Sequence, residues 1–291
     1  MLQVKPAAFL SALICLILTF STGPQVLASQ SETAHSETAH LLTDSQILWL
    51  VNPTQQLEPK YRPKELTQVH GYPMHPEAGA AFLKMYEDMK SQGIKNLRLQ
   101  SAYRPYTYQK ALFNEKTKAL MALGYEEEKA EILAARSVAI PSASEHQLGL
   151  AVDVSINGKL SVHFGSTEAG IWLQNHCDKY GFIIRYPKEK TEITQIFYEP
   201  WHLRYVGVPH SSYMQGYNMC LEEYIDHIKE SGIVLYWIDD ENYYKISYSP
   251  IMPDAYLNHV KGNVEAFSLS STGPQEGAGY IITEFKKAVQ Y

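Results

Sequence analysis

An α+β fold is predicted, with helices packed on a small, mainly antiparallel sheet and a small β-rich appendage at the C-terminal end. Three features of the chain lead there: helix-period apolar patterning between residues 77 and 136, short alternating runs around it, and a switch to strand-like runs after residue 230. Glu77 to Gln92 reads as a helix with Phe82, Leu83, Tyr86 and Met89 on one face, and Gly93 stops it. Asn96 to Gln100 alternates Leu97 and Leu99 with polar neighbours, as a short half-buried strand does. Helical segments follow around Tyr108 to Leu123 and Tyr125 to Arg136. Leu150 to Ile156 is the next strand, and Ala169 to Gly181 a helix carrying Leu173, Cys177 and Tyr180 on one face. Phe182 to Arg185 and Phe197 to His202 complete the core strands. Beyond them, Gly232 to Tyr248 reads as a hairpin around D-D-E-N, with further strands at Val264 to Leu269 and Tyr280 to Phe285 and a Ser, Gly and Pro-rich loop at Ser270 to Gly279.

With 291 residues, 45% hydrophobic and 12% aromatic, the chain has enough apolar content for one sizeable domain and a smaller one. Its net charge of -6, with no clustered Lys and Arg, excludes a nucleic-acid-binding stripe. Residues 1–28 read as an export signal or signal anchor. Lys5 and the amino terminus form the positive region, and the apolar stretch from Ala7 to Phe20 is roughly 14 residues, short of the ~20 that span a bilayer. The protein is therefore expected to be exported to the outer face of the membrane or the cell wall, with membrane anchoring possible only through this N-terminal segment. Residues 29–46 hold a tandem S-E-T-A-H and read as a flexible linker, in which His35 and His40 are solvated. The catalytic domain is placed at 47–229 and the β-rich appendage at 230–291. Of the three cysteines, Cys15 lies in the signal, Cys177 reads as a buried apolar thiol, and pairing between Cys177 and Cys220 is left open.

The chemistry lies in two short motifs, S-E-H-Q-L-G-L-A-V-D from Ser144 to Asp153 and E-P-W-H from Glu199 to His202. His146, Asp153 and His202 are three metal ligands of the neutral and anionic kind, and Glu199 stands beside the last. Three protein ligands with an adjacent carboxylate is the composition of a catalytic zinc site, which keeps one position for water. His146 and Asp153 are an odd number of residues apart, so an unbroken strand would put them on opposite faces; the segment must turn, and Gly149 is the natural place. H-E-x-x-H is absent, which excludes a helical zincin, and so is an S-x-x-K box with a partner K-T-G, which argues against a serine acyl-enzyme. Zinc acidifies its water and polarises a carbonyl, and Glu199 is positioned to take the water's proton and give it to the leaving amine. Arg104 is the candidate either for stabilising the oxyanion or for clamping a substrate carboxylate. The remaining histidines, His163 and His210 among them, read as structural or as groups supporting the motifs.

The order S-x-H-x-x-G-x-A-x-D, then E-P-W-H, with Y-R-P-Y-T-Y-Q before and G-F-I-I-R-Y-P between, resembles the VanY-type D-alanyl-D-alanine carboxypeptidases of the LAS group of zinc peptidases. The likeness runs from about Ile47 to Tyr224. It implies the LAS or hedgehog-like zinc peptidase fold and one zinc held by His146, Asp153 and His202. It further implies Glu199 as catalytic base, Arg104, Gln109 and Ser144 in contact with substrate, and a peptidoglycan stem peptide or its precursor as that substrate. The chain departs at Ala102, Ser142 and Gln195, where the family more often has Gly, and at Leu148 in place of a frequent Thr. An L,D-carboxypeptidase or crosslink endopeptidase of the same group shares this chemistry. A non-catalytic wall-binding protein that keeps zinc for structure is the rival from another class, and the presence of Glu199 argues against it. In the appendage, Tyr236, Trp237, Tyr243 and Tyr244 either stack on glycan rings or pair across strands.

Overall fold

A computed structural model describes residues 46–251, 264–269 and 279–288. The expected signal at 1–28, nearly all of the linker and most of the Ser270 to Gly279 loop lie outside these residues. Among the described residues no helix is long and apolar enough to cross a membrane.

Ile47 to Val51 enters the core at once, with every side chain buried. A two-stranded ribbon follows, β1 (Thr67–Val69) and β2 (Tyr72–Met74), and then α1 (Pro76–Ser91). Helix α1 buries Phe82, Met85 and Met89 together with Ala78 and Gly79. Leu83, predicted to be inward, is instead exposed, because the buried stripe follows the 78, 82, 85, 89 spacing and leaves position 83 on its flank. The central sheet has the order β3-β4-β6-β5 and is antiparallel throughout: β3 (Arg98–Ser101), β4 (Ala151–Ser155), β6 (His202–Tyr205) and β5 (Phe182–Ile184). The helices α2 (Tyr106–Ala122), α3 (Glu127–Ala135) and α4 (Glu168–His176) and the short α5 (Thr191–Thr194) lie between these strands in sequence. The last core strand begins at His202 where it was expected to end. Pro200 has no N–H to offer a ladder, so the chain turns through Glu199 to Trp201, and the His202 N–H donates to the Glu199 carbonyl at 3.1 Å before pairing starts.

Gly149 is the turn the motif required. It closes the 3-10 segment Glu145–Leu148 at φ 71°, and a Cβ there would lie 3.1 Å from the His75 backbone nitrogen and 3.0 Å from Leu66. Ser142 (φ 77°) and Gln195 (φ 61°) also adopt the left-handed region, which accounts for the glycine more often found at those two places.

Helix α6 (His210–Tyr217) and helix α7 (Leu221–Ser231) lead to the C-terminal sheet. Helix α7 buries Leu221, Tyr224, Ile225 and Ile228, the spacing of one helical face. The sheet has order β7-β8-β10-β9, with β7 (Ile233–Trp237), β8 (Asn242–Ser249), β9 (Val264–Ser268) and β10 (Tyr280–Lys287), all antiparallel. Its aromatics pair across strands: Tyr236 faces Tyr244, and the rings of Trp237 and Tyr243 lie 4.7 Å apart. His210 joins this sheet to the main body. Its Nδ1 lies 2.6 Å from the Tyr224 hydroxyl, its Nε2 3.4 Å from Thr283 Oγ1, and its ring meets Phe267 edge-on at 5.0 Å. Cys177 and Cys220 are both free and buried, and burial pushes both thiols up, Cys220 to about 12.

Gly149→Ala should lower the melting temperature by at least a few degrees, since left-handed Ala costs about 1–2 kcal/mol and each kcal/mol shifts Tm by about 2–4 °C in a chain of this size; an unchanged calorimetric Tm would contradict the crowding described. Burial also lowers the His210 imidazole to about 3, so its folded-state value lies below the unfolded one. The stability it contributes is therefore fully present above the ordinary histidine range and lost as pH falls through and below it, at up to about 1.4 kcal/mol per pH unit. Urea unfolding between pH 7 and pH 5 should show that slope, and His210→Gln should flatten it.

Candidate metal centre

Strand register assembles the centre. Asp153 on β4 stands directly opposite His202 on β6 and opposite Ser101 on β3, so three side chains from three strands share one face. The neighbouring residues Val152, Val154 and Leu203 point to the other face and are buried in the core. His146 reaches the same face from the 3-10 segment. Its Nδ1–H donates to the Ala102 carbonyl at 2.6 Å, which leaves Nε2 as the lone-pair nitrogen, 3.2 Å from Asp153 Oδ2. His202 Nδ1 lies 3.2 Å from Asp153 Oδ1, and the two imidazoles meet at 4.9 Å and nearly at right angles.

One ligand atom from each of His146, Asp153 and His202 falls within 4.8 Å of the others, and all three residues are buried. Zinc bonds of roughly 2.0–2.2 Å in tetrahedral array place ligand atoms about 3.3 Å from one another, and each imidazole lies 3.2 Å from one oxygen of Asp153, His146 from Oδ2 and His202 from Oδ1. His146 Nε2 and Asp153 Oδ1 are buried without a hydrogen-bond partner in the protein. Converging acceptor atoms of that kind suit a cation. The electrostatics agree: burial, then Arg104, lowers His146 to about 4, so it is a neutral donor of its lone pair. Burial works against charge on His202, but the carboxylates of Asp153, Glu145 and Glu199 around it override that and raise the imidazole to about 9. The pocket thus favours positive charge at the point where a dication would replace that proton.

Glu199 lies just outside the three, its Oε2 3.7 Å from His202 Nδ1. Burial, opposed by His202, pushes its carboxyl up to about 8. Arg104 is more occupied than the sequence suggested. It donates to Asp153 Oδ2, from Nε to Ser101 Oγ at 2.7 Å, and to Gln109 Oε1 at 3.4 Å. Gln109 is buried, lines the cleft and donates in turn to the Ala139 carbonyl at 2.7 Å. Ser144 is also buried and lines the cleft. That cleft, of about 810 Å³, contains the three ligands, Glu199 and Arg104 at its base. Of the three motif tyrosines only Tyr108 lines it, while His163 and His210 do not.

Glu145 was missed by the sequence reading. It is fully buried, and its Oε1 accepts from Arg185 Nε at 2.8 Å and from Arg204 at 2.7 Å. Arg185 also makes a two-pronged pair with Glu222 at 2.9 and 2.7 Å, and Arg204 donates to the carbonyls of Ile47 and Trp49. The two arginines and two glutamates balance in charge. The free oxygen of Glu145, Oε2, faces His202 Nε2 at 3.7 Å, on the side of the ring away from Asp153. No local signal marks it: Glu145 directly precedes His146 in sequence, yet the histidine it faces, in the carboxylate–histidine–metal manner, is His202. Arg185 and Arg204 are therefore core ion pairs and not groups that meet substrate.

Residues 71–208 match the VanY family, described as D-alanyl-D-alanine carboxypeptidase. The chain is 39% identical to YodJ of Bacillus subtilis (strain 168) over 197 residues, 63% of this chain and 68% of that one. It is 34% identical over 213 residues to a D-alanyl-D-alanine carboxypeptidase of Enterococcus faecium, covering 73% of this chain and 61% of the relative. With the bifunctional D-Ala-D-Ala dipeptidase and D-Ala-D-Ala carboxypeptidase VanXYC of Enterococcus gallinarum it shares 33% identity over 194 residues, 63% of this chain and 96% of the relative. Among solved structures, a VanY D,D-pentapeptidase from a VanB-type resistance cassette, in complex with Zn(II), is similar at TM-score 0.57 and 35% identity, over 62% of this chain and 99% of that one. The LD-carboxypeptidase LdcB is similar at TM-score 0.55 and 38% identity, over 62% and 86%.

Removing the Glu145 charge would leave buried arginine uncompensated. Glu145→Gln is expected to lower unfolding free energy by about 3–5 kcal/mol and to weaken zinc binding about 10–100-fold, measured by urea denaturation and by competition with a chelator.

Proposed function

The chain belongs to the VanY family of D-alanyl-D-alanine carboxypeptidases, and from that membership we propose that it is an exported enzyme with one zinc ion that removes the terminal D-Ala from peptidoglycan stem peptides or their precursors. The observation that carries this reading is the meeting of His146, Asp153 and His202 at the base of a large cleft, with the Glu199 carboxyl at their edge. Export rests on the N-terminal sequence alone.

When bound by His146, Asp153 and His202, zinc supplies Lewis acidity toward the scissile carbonyl and a more acidic water. Glu199, at the edge of the three ligands, takes one proton from the attacking water as its oxygen adds to the carbonyl carbon. The same carboxyl then delivers the proton to the nitrogen of the departing D-Ala as the C–N bond breaks, so the acid and amine products balance the water consumed. Arg104 holds Asp153 in place and, through its remaining N–H groups, is available to a substrate carboxylate or to the developing oxyanion. Ser101 and Gln109 fix the plane of that guanidinium.

The 38% identity to an LD-carboxypeptidase favours a second reading, in which the same centre cleaves tetrapeptides. Incubation with an L-Lys-D-Ala-D-Ala-terminated pentapeptide and the matching tetrapeptide, followed by mass spectrometry, separates the two. Loss of one D-Ala from the pentapeptide, abolished by chelator, is the expected result; cleavage of the tetrapeptide alone would move the specificity to L,D. Cleavage of neither, with zinc bound, would turn the reading toward a crosslink endopeptidase or a wall-binding role. Glu199→Ala should retain zinc and lose about 10²–10⁴ in kcat.

A further inference from the structure

The cleft is longer than a terminal dipeptide requires. One face of α2 forms a wall: Tyr108, Leu112, Glu115 with Lys116, and Ala119 recur at helical spacing, and all line the cleft. At 1.5 Å per residue this wall runs about 16 Å. Two extended residues span at most about 7 Å, whereas five span about 17 Å. The catalytic end of the wall is fixed, because Gln109 next to Tyr108 holds Arg104, which holds Asp153. Lys116 therefore stands about 10 Å along the helix from Gln109, the α2 residue that contacts Arg104.

The two stretches differ in chemistry. Phe197, two residues before Glu199, and Leu160 are exposed apolar side chains of the cleft, with Tyr108 on α2. At the far end, Lys116 is half-buried and Glu115 exposed, and among the described residues neither forms an ion pair. A stem pentapeptide carries its charges upstream of the cleaved bond: two residues upstream sits a diamino acid, with its ammonium free in a monomeric stem. One residue further is a γ-linked D-Glu, which keeps a free α-carboxylate.

Resting on the carboxypeptidase reading, we propose that the distal end of this cleft is a subsite for the charged part of the stem, with Lys116 receiving the α-carboxylate of the γ-linked D-Glu and Glu115 the ammonium of the diamino acid. A hydrogen bond between charged groups in a half-buried cleft suffices for about tenfold or more in selectivity.

The zinc-loaded full chain is assayed for kcat/KM on three substrates: the stem pentapeptide, its analogue with D-isoglutamine in place of D-Glu, and diacetyl-L-Lys-D-Ala-D-Ala, which lacks both charges. The pentapeptide is expected to exceed each of the others by about tenfold or more. Lys116→Glu should reduce the pentapeptide-to-tripeptide ratio at least tenfold, and Lys116→Arg should keep it. Equal kcat/KM on all three substrates, or a ratio that Lys116→Glu leaves unchanged, would overturn the subsite while leaving the carboxypeptidase reading intact. Turnover of none of the three would remove that reading and the subsite with it.

Discussion

The register between β4 and β6 is the constraint on which the centre depends. Asp153 faces His202 because Val152 faces Leu203, and those two apolar residues are both fully buried. A slip of one residue would send Asp153 into the core and Val152 into the cleft, so the hydrophobic effect enforces the pairing. The same alternation puts Asp153, His202 and Arg204 on the polar face of the sheet, with Val152, Val154 and Leu203 on the other, and an irregularity between Leu99 and Ser101 brings Ser101 to the polar face while Leu99 pairs with Val154. Metal binding thus draws on a geometry that core packing has already fixed.

Such a concentration of polar groups on a buried face is costly unless each has a partner, and the partners form one connected set. Glu145 ties Arg204 on β6 to Arg185 just beyond β5, Arg185 continues to Glu222 on α7, and Arg204 reaches back to the carbonyls of Ile47 and Trp49 at the start of the fold. Buried pairs of this kind add little net stability over apolar residues, but loss of one member strands the others. What the network does supply is orientation. The oxygen of Glu145 that the arginines leave free is aimed at the outer nitrogen of His202, as the Ala102 carbonyl is aimed at that of His146, so each imidazole is held from behind with its other nitrogen directed to the centre.

Much of this was legible in the sequence because it is local. The ligands, Glu199 and the turn at Gly149 lie in two short motifs, and the helices, the antiparallel sheet and the C-terminal strands follow from apolar periodicity and punctuation by glycine. What escaped is non-local. Periodicity placed Leu83 inward, but the surface that covers α1 is decided by distant segments, and Met85 is buried in its stead. The start of β6 was misplaced because Phe197 to His202 has strand-like composition, while Pro200 and the turn at Glu199 deny it a partner. The contact of Arg104 with Asp153, 49 residues away, is likewise one that only the fold brings about. Glu145 and its arginines are separated by 40 and 59 positions, so nothing local joins them.

These two scales divide the labour of the site. The hydrolytic centre is specified by backbone register and buried charge, where almost any substitution would disturb several partners at once. The cleft walls are instead side chains on the surface of α2 and on the segment around Leu160, each fixed by one element and open to solvent. A change at Lys116 or Phe197 alters what the cleft accepts with little effect on the sheet, whereas a change at Glu145 alters the sheet before it alters the substrate. Within that wall, Gln109 of α2 contacts the centre through its 3.4 Å hydrogen bond with Arg104.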